Sequence, residues 1–349
     1  MHMADALISP AVGGAMWVVS GGLLAYSARK VREEADDRKI PLMGVLGAFI
    51  FAAQMINFTI PATGSSGHLG GGMILSILLG PYAAFLTLAS VLTVQALFFA
   101  DGGLLALGCN ILNMGLFTCF VAYPLIYKKI AGGSLERKRV MLGATLAAVV
   151  GLQFGAFGVV LETVASGISV LPFKTFVLLM QPIHLAIGLV EGLITAGVVT
   201  FMLEARPEII TAAAGRKPIG VSIRGALIAL ACAAVVTAGA LSWFASTHPD
   251  GLEWSMFKTS GKEELESGDG LHKTLAAIQN KTAFLPDYGF KKPETPAQQQ
   301  PAEAAPAWPA VEKGTSVAGL VGGMFTLLLA GLAGLLLARR KNPVGRPTV

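Results

Sequence analysis

An all-α integral membrane protein, a polytopic helical bundle, is the fold class this sequence predicts, and three observations predict it. Charged residues are only 13% of the chain, against roughly 25% in a soluble domain. Mean hydropathy is +0.65, and the apolar residues fall into runs long enough to cross a bilayer. Glycine is abundant, at 42 residues, as close helix packing in lipid favours. The 349 residues accommodate about seven spans or half-spans. A two-span C-terminal module with an extracytoplasmic loop follows.

The elements read in order. The first span covers about 11–28, and the charged stretch RKVREEADDRK (29–39) reads as a loop. A second span covers about 42–58, and TIPATGSSGHLGGG, rich in glycine, serine and proline, is a loop. The apolar stretch 73–100 is interrupted by Gly80-Pro81. It reads as a short helix near 70–79, a turn, and a span over about 83–99. A short helix that starts below the membrane surface needs its preceding loop to dip inward. Backbone at that depth is tolerated only where protein buries it or a cavity is lined by it. Spans follow at about 104–127, 140–161, 176–203 and 225–244, and a last one at 317–338. The polar segment 245–315 contains a proline-, alanine- and glutamine-rich stretch, 291–309, that reads as disordered. The expected domains are 1–210 and 211–349.

Basic residues cluster at 29–39, 128–139, 204–224 and 339–341. All four clusters face the cytoplasm only if 73–100 enters and returns as two elements. The N-terminus, the loop 59–72 and the segment 245–315 then lie outside, and the C-terminus inside. The net charge of +5 comes from these span ends and does not suggest nucleic acid. No basic n-region precedes the first apolar run, so the N-terminus is not expected to be a signal peptide. Cys109, Cys119 and Cys232 lie in apolar runs with no zinc-like spacing and read as small core residues.

The chemistry is concentrated in MHMADALISP. A free α-amine, the first peptide nitrogen and a position-2 imidazole can close two fused chelate rings on one metal ion. Met1 should be retained, because histidine is not the small second residue that methionine removal prefers. His2 and His68 lie on the same side, so His68 can supply a fourth nitrogen. Such a tetragonal nitrogen set suits Ni(II) or Cu(II), with Co(II) next. No thiolate or thioether cluster lies nearby to favour Cu(I). His184 and Glu191, seven residues apart, share one helix face and are candidates for the surroundings of the site or a pathway. A purely structural role in the bundle is the other reading. Gln54, Asn57, Asn110 and Asn113 could orient a ligating imidazole or the loop backbone, or join helices. No G-x-x-x-x-G-K-[ST], nucleophile elbow or HExxH occurs. The chain is therefore not expected to be an enzyme, and an ATPase would be another polypeptide.

MHMADALISP, GSSGHLGGG, VQALFFADGGLLALGCNILNMG and HLAIGLVEGLITAG resemble the CbiM/NikM substrate-binding (S) components of energy-coupling factor transporters. The resemblance covers roughly 1–203. PDGLEWS (249–255) and LPDYGF (285–290) resemble the small companion subunit, CbiN/NikN, fused in frame. The resemblance implies uptake of Ni²⁺ or Co²⁺ through the Met1 amine, both His2 nitrogens and His68. The metal is cargo, and no resident cofactor is implied. Implied partners are a CbiQ/NikQ-type transmembrane coupling protein and a CbiO/NikO-type ABC ATPase. Gly13, Gly14, Ala15, Gly21, Gly22, Ala25 and Ala28 of the first span would suit packing against a partner helix or within the bundle. The implied location is a bacterial cytoplasmic (inner) membrane. Cobalt uptake for cobalamin synthesis, a stand-alone channel or secondary carrier, and a membrane sensor remain alternatives. The carrier would want acidic residues in several spans, where Glu162 and Glu191 are the obvious candidates.

The chelate reading makes a prediction about the chain start. One extra residue before Met1 should abolish nickel binding while leaving the fold intact, because a displaced amine is no ligand. Calorimetric titration of N-terminally and C-terminally tagged proteins checks this; equal affinity would remove the amine from the site.

Overall fold

The computed structural model describes residues 2–34, 36–132, 135–169, 171–262, 265, 268, 270–291 and 308–338. They form a helical bundle in which six helices are long and apolar enough to cross a membrane. Two shorter apolar helices, Lys39–Gln54 and Arg224–Gly239, stand beside them. Helix α1 (Pro10–Glu34) continues through residues expected as a loop. Arg29 and Lys30 both pair with Glu33, at 3.0 and 2.8 Å, and these i,i+4 and i,i+3 pairs support the extra turn. Helix α2 (Lys39–Gln54) ends earlier than the expected 42–58. Phe58–Ile60 (β1) instead pairs antiparallel with Ser65–Gly67 (β2), turning part of the expected loop into a small hairpin.

The stretch 73–100 divides as expected. Helix α3 (Gly72–Leu79) is fully buried, and α4 (Pro81–Val94) continues in a wider π-type turn over Gln95–Phe99. Gly80 takes φ +82, a conformation that L side chains rarely adopt, and Pro81 opens α4 where its missing N–H costs nothing. Helix α5 (Leu107–Ile111) runs on through π-type turns to Tyr127 and into α6 (Lys128–Ala131). Helices α7 (Arg137–Ser166) and α8 (Phe173–Ala205) form a long pair, with Gly188 and Gly192 of α8 against Val149 and Thr145 of α7. Gln153 and Gln181 donate to each other's backbone carbonyls across it, at 3.1 and 3.3 Å. Helix α9 (Pro207–Gly215) leads to α10 (Arg224–Gly239).

Residues 245–290, read from sequence only as a polar segment, contain α11 (Gly251–Ser260) and α12 (Leu271–Thr282). Both dock on the bundle: His272 bonds the Ile8 carbonyl at 2.8 Å, and Gln279 donates to Gly102 O at 2.7 Å. The low-complexity reading of 291–309 falls almost wholly on 292–307, outside the described residues, as does the basic tail 339–341. Helix α13 (Lys313–Ala338) fits its glycines between α2 and α10: Gly322 faces Phe51, Gly334 faces Ile40 and Gly319 faces Ala238. Cys109 and Cys119 are buried, but Cys232 is exposed and corrects the core reading. It lies off the stripe that α10 buries, which runs through Ala226, Leu230, Ala234 and Ala238.

Basic groups gather at one end of the bundle. Asp36 accepts from the Ile219 amide at 3.0 Å, Lys128 donates to Ala214 O at 3.2 Å, and Arg137 pairs with Glu204 at 3.1 Å. The opposite end carries His2, His68 and the 245–290 segment. Helix α1 keeps an open face: Val18 is 77% exposed, and Gly14, Gly21 and Gly22 have no packed neighbour.

A tight glycine contact between two helices gives a prediction. A methyl on Gly322 would stand 2.0 Å from the Phe51 ring. Gly322→Leu should therefore loosen α13 from α2 at a cost of about 1–3 kcal/mol. Thermal unfolding in detergent should show a lower midpoint than for Gly331→Leu, whose position is open.

Candidate metal centre

The glycine-rich loop is held deep in the bundle by side chains that satisfy its backbone. Glu191 of α8 accepts the Gly70 and Gly71 amides at 3.2 and 3.0 Å. Gln54 of α2 donates to Gly70 O at 2.9 Å, and Gln95 donates to the Gln54 carbonyl at 2.8 Å. Close approach explains the glycines. A Cβ on Gly67 would meet Ile187 at 2.4 Å, and one on Gly72 would meet Thr118 at 2.4 Å. Gly71 also takes φ +76. Buried backbone polar groups need such partners. Glu191 is thus a loop holder.

The N-terminal arm is fixed in the same way. The Met3 amide donates to Asn110 Oδ1 at 2.8 Å, and Met3 O accepts from Asn110 Nδ2 at 3.2 Å and from Gly103 N at 2.9 Å. Asp5 accepts the Ala106 amide at 2.9 Å. Asn113 donates to Glu162 at 2.6 Å and lies 3.7 Å from the Met3 sulfur. Met3 itself is fully buried. Two of the sequence candidates, Asn110 and Asn113, therefore grip the arm that carries His2.

These two supports bring His2 and His68 together. Their rings stack with centroids 5.0 Å apart and planes 10° from parallel. His2 Nδ1 lies 3.1 Å from Asp101 Oδ1, and its Nε2 is buried without a hydrogen-bond partner. The Tyr288 hydroxyl donates to the other Asp101 oxygen. Burial pushes the Asp101 carboxyl up, but the charge and hydrogen bond of His2 outweigh it and hold the group well below the usual range. His68 Nδ1 faces the Leu69 carbonyl at 3.2 Å, so Nδ1 carries the hydrogen and Nε2 the lone pair. That Nε2 is 3.9 Å from Asp250 Oδ2. Burial, foremost, lowers the His68 pKa to about 3, so the ring is neutral across the physiological range.

Geometry imposes a condition on the fused-chelate reading. Only Nδ1 of a histidine can close a six-membered ring with its own amide nitrogen, and here that atom faces Asp101. A metal bound in that way replaces Asp101 at Nδ1. Met1 lies outside the described residues. Among the described residues, no group of three His, Cys, Asp or Glu gathers at metal-binding distance. The two described imidazoles by themselves fall short of a full ligand set, and the sequence reading calls for backbone nitrogens beside them.

The remaining candidates sit around this pair. His184 bonds the Met180 carbonyl through Nδ1 at 2.8 Å, and its buried Nε2 has no hydrogen-bond partner. It borders a small cavity with His68, Gly70, Met114 and Asp250. Asn57 accepts the Ser246 amide on its carbonyl at 2.6 Å and lines a second cavity of about 460 Å³. That cavity also borders His2, His68, Asp101, Asp250 and Tyr288. The sequence reading did not single out Asp101, Asp250, Tyr288 or Gln95. Asp101 stands in a stretch read only as a turn, and nothing local ties it to a histidine 99 positions away.

Comparison with known proteins gives matches over two stretches of the chain. Residues 2–209 match the CbiM family, described as a cobalt uptake substrate-specific transmembrane region, and residues 224–339 match the PDGLE domain. A protein of Archaeoglobus fulgidus named as a fused nickel transport protein, NikMN, is 37% identical over 230 residues, covering 66% of this chain and 75% of its own. The fused nickel transport protein NikMN of Rhodobacter capsulatus is 31% identical, over 60% of this chain and 64% of its own. The crystal structure of a truncated transition metal transporter superposes with a TM-score of 0.53 at 31% identity, covering 59% of this chain and 99% of that one.

The loop holder is testable. Glu191→Ala strands two buried amides, each costing about 1–3 kcal/mol. Nickel affinity should fall by at least about tenfold as His68 loses its place, and amide hydrogen exchange at Gly70 and Gly71 should speed up. Glu191→Gln, which keeps one acceptor, should lie between. Unchanged affinity in the alanine variant would separate the loop from binding.

Proposed function

This chain belongs to the CbiM family of metal-uptake transmembrane proteins, here fused to a NikN-like part, and on that premise we propose that it captures Ni(II) for an ATP-driven importer of the energy-coupling factor type. The chain is a multi-pass membrane component of metal uptake; the metal, its ligands and the coupling machinery are our reading. Nickel is held by the Met1 amine, the His2 amide nitrogen, His2 Nδ1 and His68 Nε2. The observation that carries this is the stacked pair of His2 and His68, each ring nearly closed off from solvent and each flanked by one carboxylate. Two histidines from positions 66 residues apart are brought face to face by dedicated supports.

The division of labour follows from the residues. His68, kept neutral by burial, presents a lone pair without competition from protons. Asn110 and Asn113 hold the arm, and Gln54 and Glu191 hold the loop. His184 borders the site without reaching its plane. The parts 1–210 and 211–349 act together, since the second part covers the mouth. A coupling protein of CbiQ/NikQ type docks on the bundle, for which the unpartnered Gly14, Gly21 and Gly22 of α1 offer a close-packing face. An ABC ATPase of CbiO/NikO type supplies the energy. The basic end lies in the cytoplasm of a bacterium, and the histidine end lies outside its inner membrane. Cobalt is the second reading, favoured by the description of the family that matches 2–209. Competition between the two ions for the purified chain decides it.

His2→Ala should remove nickel binding in calorimetric titration, because it deletes the imidazole and the ring that holds the amide; wild-type affinity would sink the site as drawn. The pH dependence can be given a sign. Binding releases one proton from the amine, ordinarily at roughly 7.7–8.0, and one from the amide. His68, lowered to about 3, adds nothing between pH 5.5 and 7.5. Affinity should therefore fall at least about 100-fold per pH unit on acidification through that window. The complex should be yellow and diamagnetic, as low-spin square-planar nickel is. A green, paramagnetic complex with flat pH dependence would mean oxygen ligands.

A further inference from the structure

Tyr288 of the C-terminal part holds a conformation that its own side chain disfavours. Asp287 and Tyr288 take φ +50 and +59, side by side in the left-handed region. Aspartate visits that region, but a bulky tyrosine is an outlier there. Such backbone persists only where its surroundings over-determine it. Here they do. The Tyr288 ring stacks on Phe99, with centroids 5.2 Å apart and planes 19° from parallel, and meets Phe51 edge-on at 6.1 Å. The Leu285 amide donates to Phe98 O at 3.3 Å. Gln279 donates to Ala96 O and Gly102 O, at 2.9 and 2.7 Å, on either side of Asp101 in the chain. The turn that carries Asp101 and the segment that carries Tyr288 are thus fastened to each other by backbone bonds and by rings.

What this fastening delivers is one hydroxyl on one carboxylate. The Tyr288 hydroxyl donates to Asp101 Oδ2, while Asp101 Oδ1 faces His2 Nδ1 at 3.1 Å. A carboxylate accepts only, so Nδ1 carries the hydrogen between them. The same Nδ1 is the nitrogen that closes a chelate ring with the His2 amide. Nickel there takes the lone pair of Nδ1, so the ring's hydrogen passes to Nε2 and Asp101 Oδ1 loses its donor. The Tyr288 hydroxyl remains on the other oxygen. A carboxylate stripped of both donors in a partly enclosed site would be left unsatisfied, which costs more than any one hydrogen bond gains. Asp101 and Tyr288 both line the cavity of about 460 Å³ beside the histidines, so the displaced group has room to turn without leaving its tyrosine.

Resting on the reading of this site as a nickel centre, we propose that Tyr288 is a positioning residue for metal capture, keeping hold of the Asp101 carboxylate when nickel takes His2 Nδ1 from it. Before nickel arrives, Asp101 has two donors, and losing the tyrosine would leave it the histidine. Once nickel is bound, the tyrosine is the donor that stays. Its hydrogen bond therefore counts for more in the loaded state than before, and it favours binding without touching the metal. The strained pair Asp287-Tyr288 is the backbone that aims this hydroxyl, which gives the C-terminal part a stake in the affinity of a site whose nitrogens all come from the first part.

The experiment is calorimetric titration of the purified full chain with Ni²⁺ in a double-mutant cycle. Tyr288→Phe deletes one oxygen and leaves the ring on Phe99. It should weaken nickel binding about tenfold, the order of one hydrogen bond to a charged group, with helical circular dichroism, thermal midpoint and the visible band of the complex retained. Asp101→Ala leaves no carboxylate to displace, so adding Tyr288→Phe to it should change affinity less than twofold. A tyrosine that only packs the C-terminal part would make the two changes additive, and additivity would overturn the proposal. So would wild-type affinity in Tyr288→Phe. Loss of all binding in Asp101→Ala would overturn it too, because that carboxylate would then be a ligand. A second readout uses the wild-type chain. Infrared difference spectra between nickel-free and nickel-loaded protein should contain a carboxylate shift that Asp101→Ala lacks; without that shift, nickel displaces no carboxylate and the proposal fails. A wild-type chain that binds neither Ni²⁺ nor Co²⁺ would instead overturn the reading of the site itself, before any variant is compared.

Discussion

One buried carboxylate, that of Glu191, accepts two consecutive backbone amides, and the geometry of the histidine end depends on it. A loop that descends between helices must leave the helical hydrogen-bond pattern while losing contact with water. Each amide it buries needs an acceptor brought by another element. Here α8 brings Glu191, and α2 brings Gln54, which Gln95 braces. With its backbone satisfied, the loop can run through space too narrow for side chains, which is why Gly67, Gly70, Gly71 and Gly72 occupy it. His68 then emerges at a fixed height against His2.

The opposite wall is built on the same principle but from the other end of the chain. The arm carrying His2 has no helix of its own until Pro10, so it borrows order from Asn110, Gly103 and Ala106. Residues 245–290 are pinned to both walls. His248 and Pro249 bond the hairpin that precedes His68. Tyr288 bonds Asp101, which in turn bonds His2. His2 is thereby oriented by a carboxylate that the C-terminal part holds, while the Leu69 carbonyl sets the tautomer of His68.

The bundle supplies these supports from its inward faces. Its long α7–α8 pair carries Glu162, His184 and Glu191 on inward faces, and each of those polar groups is directed at the histidine end. The lipid-facing sides of α1, α10 and α13 stay apolar, with exposed residues such as Val18, Val235 and Leu328. The histidine pair and its carboxylates thus sit at one end, and ion pairs such as Arg29–Glu33 and Arg137–Glu204 at the other.

The sequence by itself determined the class of fold, the spans and the pair of residues worth watching. Hydropathy and span length are local properties, and so is the Gly80-Pro81 break that splits 73–100. Position 2 and the glycine density around His68 could be read for the same reason. Charge at span ends gave the two histidines a common side without any contact being known. What only the tertiary structure decided is what surrounds them. Asp101 lies 99 residues from His2, Asp250 lies 182 from His68, and Tyr288 lies 187 from Asp101. Within its own neighbourhood each looks like a turn or loop residue. Nor could composition tell that 245–290 would fold onto the histidine end: side chains such as His272, Gln279 and Trp254 dock it on backbone carbonyls far away in sequence. Those carbonyls carry no residue signature, because every residue offers the same one.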